Sequence, residues 1–266
     1  LAKPVRPLAN AECFEEEENT MSGHSKWHNI QRKKGKTDAA RGKTFTRLAR
    51  DIIVAARMGG GNADSNIRLR YAIQKAREAS MPADNIKRAT QRGTGEVAGV
   101  SYDEITYEGY GAGGVAVLVQ CMTDNKQRTV SDVRSYFTKT GGRLGENGSV
   151  SYLFEPKGII EIDPDVTNED ALMEVVIDAG ADDVQATEDG GFEITTGPGD
   201  LHKVQQALEN AKIKYSSAES IMEAVNSVEL SGKEAQQVIR LLELLEDNDD
   251  VQNVYSNFET EDEDEG

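Results

Sequence analysis

Residues 157–224, KGIIEIDPDVTNEDALMEVVIDAGADDVQATEDGGFEITTGPGDLHKVQQALENAKIKYSSAESIMEA, decide the fold. Ile159 to Ile162 is a short apolar run of the kind that forms a buried strand. Leu172, Val175, Val176 and Ala179 follow at helical spacing. Val184 to Thr187 and Phe192 to Thr195 read as two successive strands. Leu201, Val204 and Leu208 mark a second helix, and Ser217 to Ala224 a last strand. The order β-α-β-β-α-β is that of a ferredoxin-like unit.

Upstream, Tyr102 to Glu108 alternates around Ile105 and Tyr107, and Val115 to Val119 is a continuous apolar strand. Asn125 to Lys139 forms a helix with Val130, Val133 and Phe137 on one side, ended by Gly141-Gly142. A strand is expected at about Val150 to Phe154. Downstream, Lys233 to Leu245 is a helix facing inward through Val238, Ile239, Leu242 and Leu245, and a strand ends near Phe258. That helix and strand lack partners of their own, while 99–155 lacks a helix to cover its sheet. The expected assembly is therefore a discontinuous α/β domain, 99–155 plus 229–258, with 156–228 as an inserted ferredoxin-like domain.

Residues 21–98 read as a small helical domain. Phe45, Leu48, Ala49, Ile52, Ile53 and Ala56 follow the helical series, stopped by Gly59-Gly60-Gly61. A second helix buries Leu69, Ala72, Ile73 and Ala76, and a third follows Pro82. Viewed down the first helix, Lys43, Arg47, Arg50 and Arg57 fall at roughly 120° to 200° from its apolar centre, a basic stripe pointing away from the core. Residues 1–20 are expected to be a leader or cloning remnant, with the natural start at Met21, and 259–266 a disordered acidic tail. The fold class is thus α+β: an N-terminal all-helical domain plus two α/β domains.

Net charge is −17, but the average hides a partition. Residues 21–95 hold 17 Lys+Arg and 5 Asp+Glu, whereas 96–266 hold 11 and 37. Such segregation suggests a polyanion-binding module attached to acidic domains. The densest cationic stretch is Arg32-Lys33-Lys34-Gly35-Lys36, continued by Arg41 and Lys43. A polybasic run alone fits nucleic acid, an anionic membrane or a targeting signal. Its continuation into a structured helix whose large apolar residues serve a core favours nucleic acid over a membrane. Trp27, interleaved with Lys26, His28 and Arg32, is a candidate for stacking on a base, or a staple for the arm.

Other motifs lose to simpler readings. Gly109, Gly111 and Gly114 satisfy G-x-G-x-x-G, but a strand follows where a dinucleotide turn must open a helix. A glycine-rich hairpin explains them. There is no phosphate-binding G-x-x-x-x-G-K-[ST]. His24 and His28 stand four apart without the H-E-x-x-H context of a metal site. Cys13 and Cys121 are too few for a disulfide framework, which fits a reducing, cytoplasmic setting. The pairs Asp163 with Asp165, Asp182 with Asp183, and the cluster Asp247, Asp249, Asp250 fit capping and solvation. No catalytic residue, metal or cofactor is expected, and no run of apolar residues is long enough for a membrane helix.

Several ordered stretches carry a family resemblance. They are MSGHSKWHNIQRKK from Met21, DAARGK from Asp38, GGGNADSN from Gly59, MPADNI from Met81, YEGYG from Tyr107 and GSVSY from Gly148. From Met21 to about Phe258 the chain resembles the YebC/PmpR family. That resemblance implies a three-domain α/β protein with a helical N-terminal domain and no catalytic residues. Bacterial members are described as transcriptional regulators binding promoter DNA, and mitochondrial relatives as translational activators.

The expected function is a non-enzymatic, monomeric, cytoplasmic nucleic-acid-binding regulator of gene expression, a DNA-binding transcriptional regulator in the first place. The expected contacts are Lys26, Trp27, Arg32, Lys33, Lys34, Lys36, Arg41, Lys43, Arg47 and Arg50, with Lys87, Arg88 and Arg92 as outer contacts. The alternatives are a translation factor binding ribosomal or messenger RNA, and an interaction module whose acidic domains hold a protein, with the ribosome or transcription machinery as partner. A recognition helix presenting Asn, Gln or Arg at its start is not evident, which shape recognition of folded RNA would not require.

Overall fold

The computed structural model describes residues 38–187 and 189–260, the first four by backbone alone. Among them, the N-terminal part forms α1 (Asp38–Gly59), α2 (Ile67–Glu78) and α3 (Ala83–Thr94). Leu48, Ile52, Ile53 and Ala56 of α1 pack on Leu69, Ala72 and Ala76 of α2 and on Ile86 and Ala89 of α3. Asn66 fixes the corner between α1 and α2. Its Oδ1 accepts from the Leu69 N–H at 3.1 Å, capping α2, while its Nδ2 donates to the carbonyls of Ala55 and Gly60, each at 2.8 Å. α3 lies close on α1 at Gly93, where a Cβ would fall 2.5 Å from the Ile53 carbonyl oxygen.

The next unit contains β1 (Asp103–Tyr110), β2 (Ala116–Thr123), α4 (Lys126–Lys139) and β3 (Arg143–Leu144). Its sheet is completed from the far end of the chain by β9 (Val251–Ser256), in the order β3-β1-β2-β9. α4 and the late helix α7 (Gly232–Glu246) cover one face, burying Val117, Val119, Cys121, Val133, Phe137, Val238, Leu241, Leu242 and Leu245. The glycine run of the dinucleotide-like pattern is the β1–β2 hairpin. Gly113 and Gly114 take φ of +64° and +82°, which glycine adopts without steric penalty.

Between β3 and α7 the chain forms β4 (Phe154–Ile162), α5 (Glu169–Val176), β5 (Ala181–Ala186), β6 (Phe192–Thr196), α6 (Leu201–Ala211) and β7 (Ser217–Ala224). The sheet order β5-β6-β4-β7, with antiparallel neighbours, is the ferredoxin-like arrangement. α5 and α6 cover one face over Ile160, Ile162, Leu172, Val176, Ile194, Val204 and Leu208. The uncovered faces of the two sheets meet through Ala116, Leu118 and Tyr255 on one side and Phe154 and Ile221 on the other.

Two expectations are corrected. The segment read as a strand from Val150 to Phe154 is a 3₁₀ turn over Ser151–Leu153 that runs into β4. The Val150 and Ser151 N–H groups go to the Glu108 carboxylate at 2.7 and 2.8 Å, so they are not available to a sheet. Glu259, read as tail, lies in β10 (Phe258–Glu259), which pairs in parallel with β8 (Val228–Glu229). Phe258 and Thr260 are both buried, so this end of the chain is anchored. The rest of the tail, 261–266, and the leader 1–20 lie outside the described residues.

Candidate nucleic-acid interface

Of the expected contacts, Lys26, Trp27, Arg32, Lys33, Lys34 and Lys36 lie outside the described residues, as do His24, His28 and Cys13. Arg41 lies within α1, but its side chain is outside the description. Lys43, Arg47, Arg50, Lys87, Arg88 and Arg92 are described, and they divide into two groups.

Lys87, Arg88 and Arg92 are exposed on α3, whose inward residues are Ile86 and Ala89. Like-charged side chains so close on one short helix repel one another. No salt bridge neutralises them within the described residues. Arg92 also stands in the last turn, where a cation is favoured by the helix dipole. Their guanidinium and ammonium groups are therefore presented to solvent, where a polyanion can displace counterions from them.

The stripe on α1 behaves differently from the expectation. It does leave the helical core, but each member has a partner beyond α1: Arg47 and Arg50 are half-buried there, while Lys43 and Arg57 stay exposed. Lys43 Nζ lies 2.8 Å from the Asp247 carboxylate and 3.3 Å from the Asp247 carbonyl oxygen. Arg47 donates to the Glu246 carbonyl, and Arg50 to those of Asp249 and Met122. Glu246 ends α7, where carbonyls lack intrahelical donors and carry the negative end of the helix dipole, whereas Asp249 lies in the turn that follows and Met122 in β2. Burial pulls the Arg47 guanidinium below its ordinary pKa against the pull of Glu246 and Asp249. Arg57, the fourth member of the stripe, donates to the Ser101 hydroxyl.

At the centre of this joint is Asp250. Its Oδ2 accepts from Thr129 Oγ1 at 2.9 Å, Thr123 Oγ1 at 3.1 Å and Arg128 Nη2 at 2.7 Å, while Arg50 Nη2 stands 3.4 Å from Oδ1. Burial alone would raise its pKa. The bonds from Arg128, Thr129 and Thr123 outweigh burial and hold the carboxyl below the usual range. Sequence reasoning placed Asp250 among solvated acids and missed its role, because partners 127 and 121 residues away leave no local signal. α2 makes a second bridge: Lys75 pairs with Glu219 of β7 at 3.0 Å, and Tyr71 meets His202 of α6 edge-on at 5.4 Å between ring centroids.

The ferredoxin-like sheet carries acids on the face away from its helices. Glu161 stands directly opposite Glu193, and Glu155 opposite Glu223. Burial, then Glu161 and Glu223, push the Glu193 carboxyl up. Lys157 pairs with Glu223 on the same face. Among the described residues no three His, Cys, Asp or Glu side chains are grouped to hold an ion. Burial pushes the Cys121 thiol up to about 12, so it is not a nucleophile at neutral pH. Among the described residues no helix is long and apolar enough to cross a membrane.

The comparisons agree on one family. Residues 25–96 match the TACO1/YebC protein N-terminal domain, and residues 102–258 the TACO1/YebC second and third domain. The chain belongs to the TACO1/YebC family. A family member from Pelotomaculum thermopropionicum, named "Probable transcriptional regulatory protein", is 55% identical over 244 residues, 91% of this chain and all of that one. One of the same description from Geobacter sulfurreducens is 54% identical over 239 residues, 90% of this chain and 96% of the relative. Among solved structures, a conserved hypothetical protein from Aquifex aeolicus matches with a TM-score of 0.78 and 46% identity, over 86% of this chain and 94% of that one.

Proposed function

We propose that this TACO1/YebC protein is a non-enzymatic regulator of gene expression that binds nucleic acid through its N-terminal helical unit. The observation that carries the reading is the cluster Lys87, Arg88 and Arg92, exposed on α3 without a salt bridge among the described residues, in a segment with 17 cations against 5 acids. The segment Lys26 to Lys36 extends the same charge along the chain, with Arg41 and Lys43 beyond it. The main phosphate-binding surface is on the helical unit, and the α/β units carry most of the acids. They limit non-specific binding and face protein partners. The relatives are named probable transcriptional regulatory proteins, which favours DNA as the target.

RNA is the second reading, and one observation favours it. Arg47 and Arg50, which would make α1 a groove-reading helix, are occupied at the joint with α7. The cations left on α3 suit contact with a phosphate backbone, which positions without reading sequence. Ultraviolet crosslinking in cells, followed by sequencing of both DNA and RNA bound to the purified protein, separates the two. Discrete promoter peaks support the DNA target, and enrichment of ribosomal or messenger RNA supports the second reading. Crosslinks to neither would overturn the proposal.

A further inference from the structure

Far from the helical unit, the structure holds an aromatic and cationic surface with no part in the interface described above. Tyr152 is 69% exposed, the largest exposure of any described aromatic side chain. It stands beside Tyr110, whose ring is covered by the Arg143 guanidinium at 5.5 Å from the centroid. Lys139, at the end of α4, and Arg143, just beyond it, are both exposed and make no salt bridge among the described residues. This is a positive spot in the otherwise acidic part of the chain.

The loop that carries Tyr152 is held rigidly. The Glu108 carboxylate, buried beneath it, accepts from the N–H groups of Gly148, Val150 and Ser151 at 2.7 to 2.8 Å. The Glu108 carbonyl accepts from the Gly145 N–H at 2.7 Å, and the Tyr110 hydroxyl donates to the Ser149 carbonyl at 2.6 Å. A charged acceptor spent on three backbone donors is a strong tether for a short loop. An exposed aromatic ring on a fixed loop loses little conformational freedom when something stacks on it.

We propose that Tyr152, with Arg143 stacked on Tyr110, is a platform for an unpaired nucleobase. The ring of Tyr152 offers a face on which any base can stack, the guanidinium plane a second one, and Lys139 a contact for the adjoining phosphate. Paired bases inside a duplex have no free face, so the site selects loops, bulges and single strands. It stands at the Tyr110 end of β1, whereas Arg68 of the helical unit holds Glu104 near the other end. Six residue steps along the strand separate the two anchor points by roughly 20 Å. A nucleic acid touching both would bring phosphates to α3 and an unstacked base to Tyr152. The platform thus deepens the nucleic-acid reading and rests on it.

The test uses the full chain and fluorescence anisotropy with two labelled RNA probes: a hairpin with a wide adenosine loop, and a fully paired duplex of equal length. Tyr152→Ala is expected to weaken hairpin binding roughly tenfold, in line with one lost stacked base, with duplex binding unchanged. The slope of log K against log salt should not change, because no phosphate contact is removed. Tyr152→Phe should bind as the wild type does, and a deoxyribose hairpin should show the same loss. Tyr152 is exposed, so unfolding temperatures of the variants should match the wild type. Equal hairpin affinities for wild type and Tyr152→Ala would overturn the platform and leave the nucleic-acid reading standing. Failure of the wild type to bind any probe at low salt would overturn both.

Discussion

The Arg50 guanidinium of the helical unit lies 3.4 Å from the carboxylate of Asp250, the last turn residue before β9 of the neighbouring sheet. Both side chains are nearly dry, at 12% and 5% exposure, so this contact across the joint is screened far less than a surface pair. Asp250 keeps Arg128, Thr123 and Thr129 when Arg50 is lost. Arg50→Ala is therefore expected to cost about 2 kcal/mol and to loosen the helical unit without unfolding its neighbour. Asp250→Ala strands several buried donors together and should cost about 3–5 kcal/mol. Chemical denaturation gives the costs. Limited proteolysis between α3 and β1, faster in Arg50→Ala than in wild type, reads the loosening.

Glu108 makes a prediction about acid. Burial alone would raise its pKa, but the bonds from Gly148, Val150 and Ser151 hold the carboxyl below the usual range. Its contribution is fully present above the unfolded value of about 4.3 and is lost as pH falls through the depressed folded value. Glu108→Gln should remove that part of the acid transition. It should also speed hydrogen exchange at Gly148, Val150 and Ser151, because the amide offers a donor where the loop presents donors. Unchanged exchange at these three amides would contradict the tether.

Asp51 has the opposite sign. Burial pushes its carboxyl up to about 6 from an ordinary 3.8, although Lys75 and Arg68 pull it down. A raised acid favours the folded state below its unfolded pKa, and that advantage is lost as pH rises through about 6. Asp51→Asn, which cannot ionise, is expected to melt higher than wild type at pH 8 and close to it at pH 4. A variant less stable than wild type at pH 8 would show that the charged form is held by a contact worth more than its desolvation.

Gly93 tests the packing of the helical unit. A Cβ there would lie 2.5 Å from the Ile53 carbonyl oxygen and 2.6 Å from the Ala56 Cβ, so backbone must move. Gly93→Ala should cost about 1–3 kcal/mol despite the better helix propensity of alanine. The measurement is the urea midpoint of the full chain beside that of Gly95→Ala. At Gly95 the space is open but φ is +82°, so strain acts there without a clash.

Much of this architecture was legible because it is written locally. Ile160 and Ile162, Leu172 and Val176, and Val204 and Leu208 carry the alternation and helical spacing that name the ferredoxin-like order, and these residues are the observed core. The hairpin at Gly109 to Gly114 was legible because glycine meets the positive φ of such a turn. What escaped depends on partners distant in sequence. Val150 carries an apolar side chain that suits a strand, yet its N–H is claimed by Glu108, 42 residues earlier. Arg47 and Arg50 lie on the polar side of α1, and no local pattern says that a helix end two hundred residues later takes them from solvent. Tyr152 looked like one more strand residue until the turn exposed it.

The most direct test of the account is the salt dependence of nucleic-acid binding by the full chain and by the variant with Lys87, Arg88 and Arg92 all changed to Glu. With about 6 phosphates neutralised, log K for duplex DNA should fall against log salt with a slope near −5. Removing three of those contacts should flatten the slope to about −2 to −3 and weaken binding at every salt concentration, with helical content unchanged. A wild-type affinity insensitive to salt, or a variant with the wild-type slope, would contradict the claim that α3 presents the phosphate-binding surface.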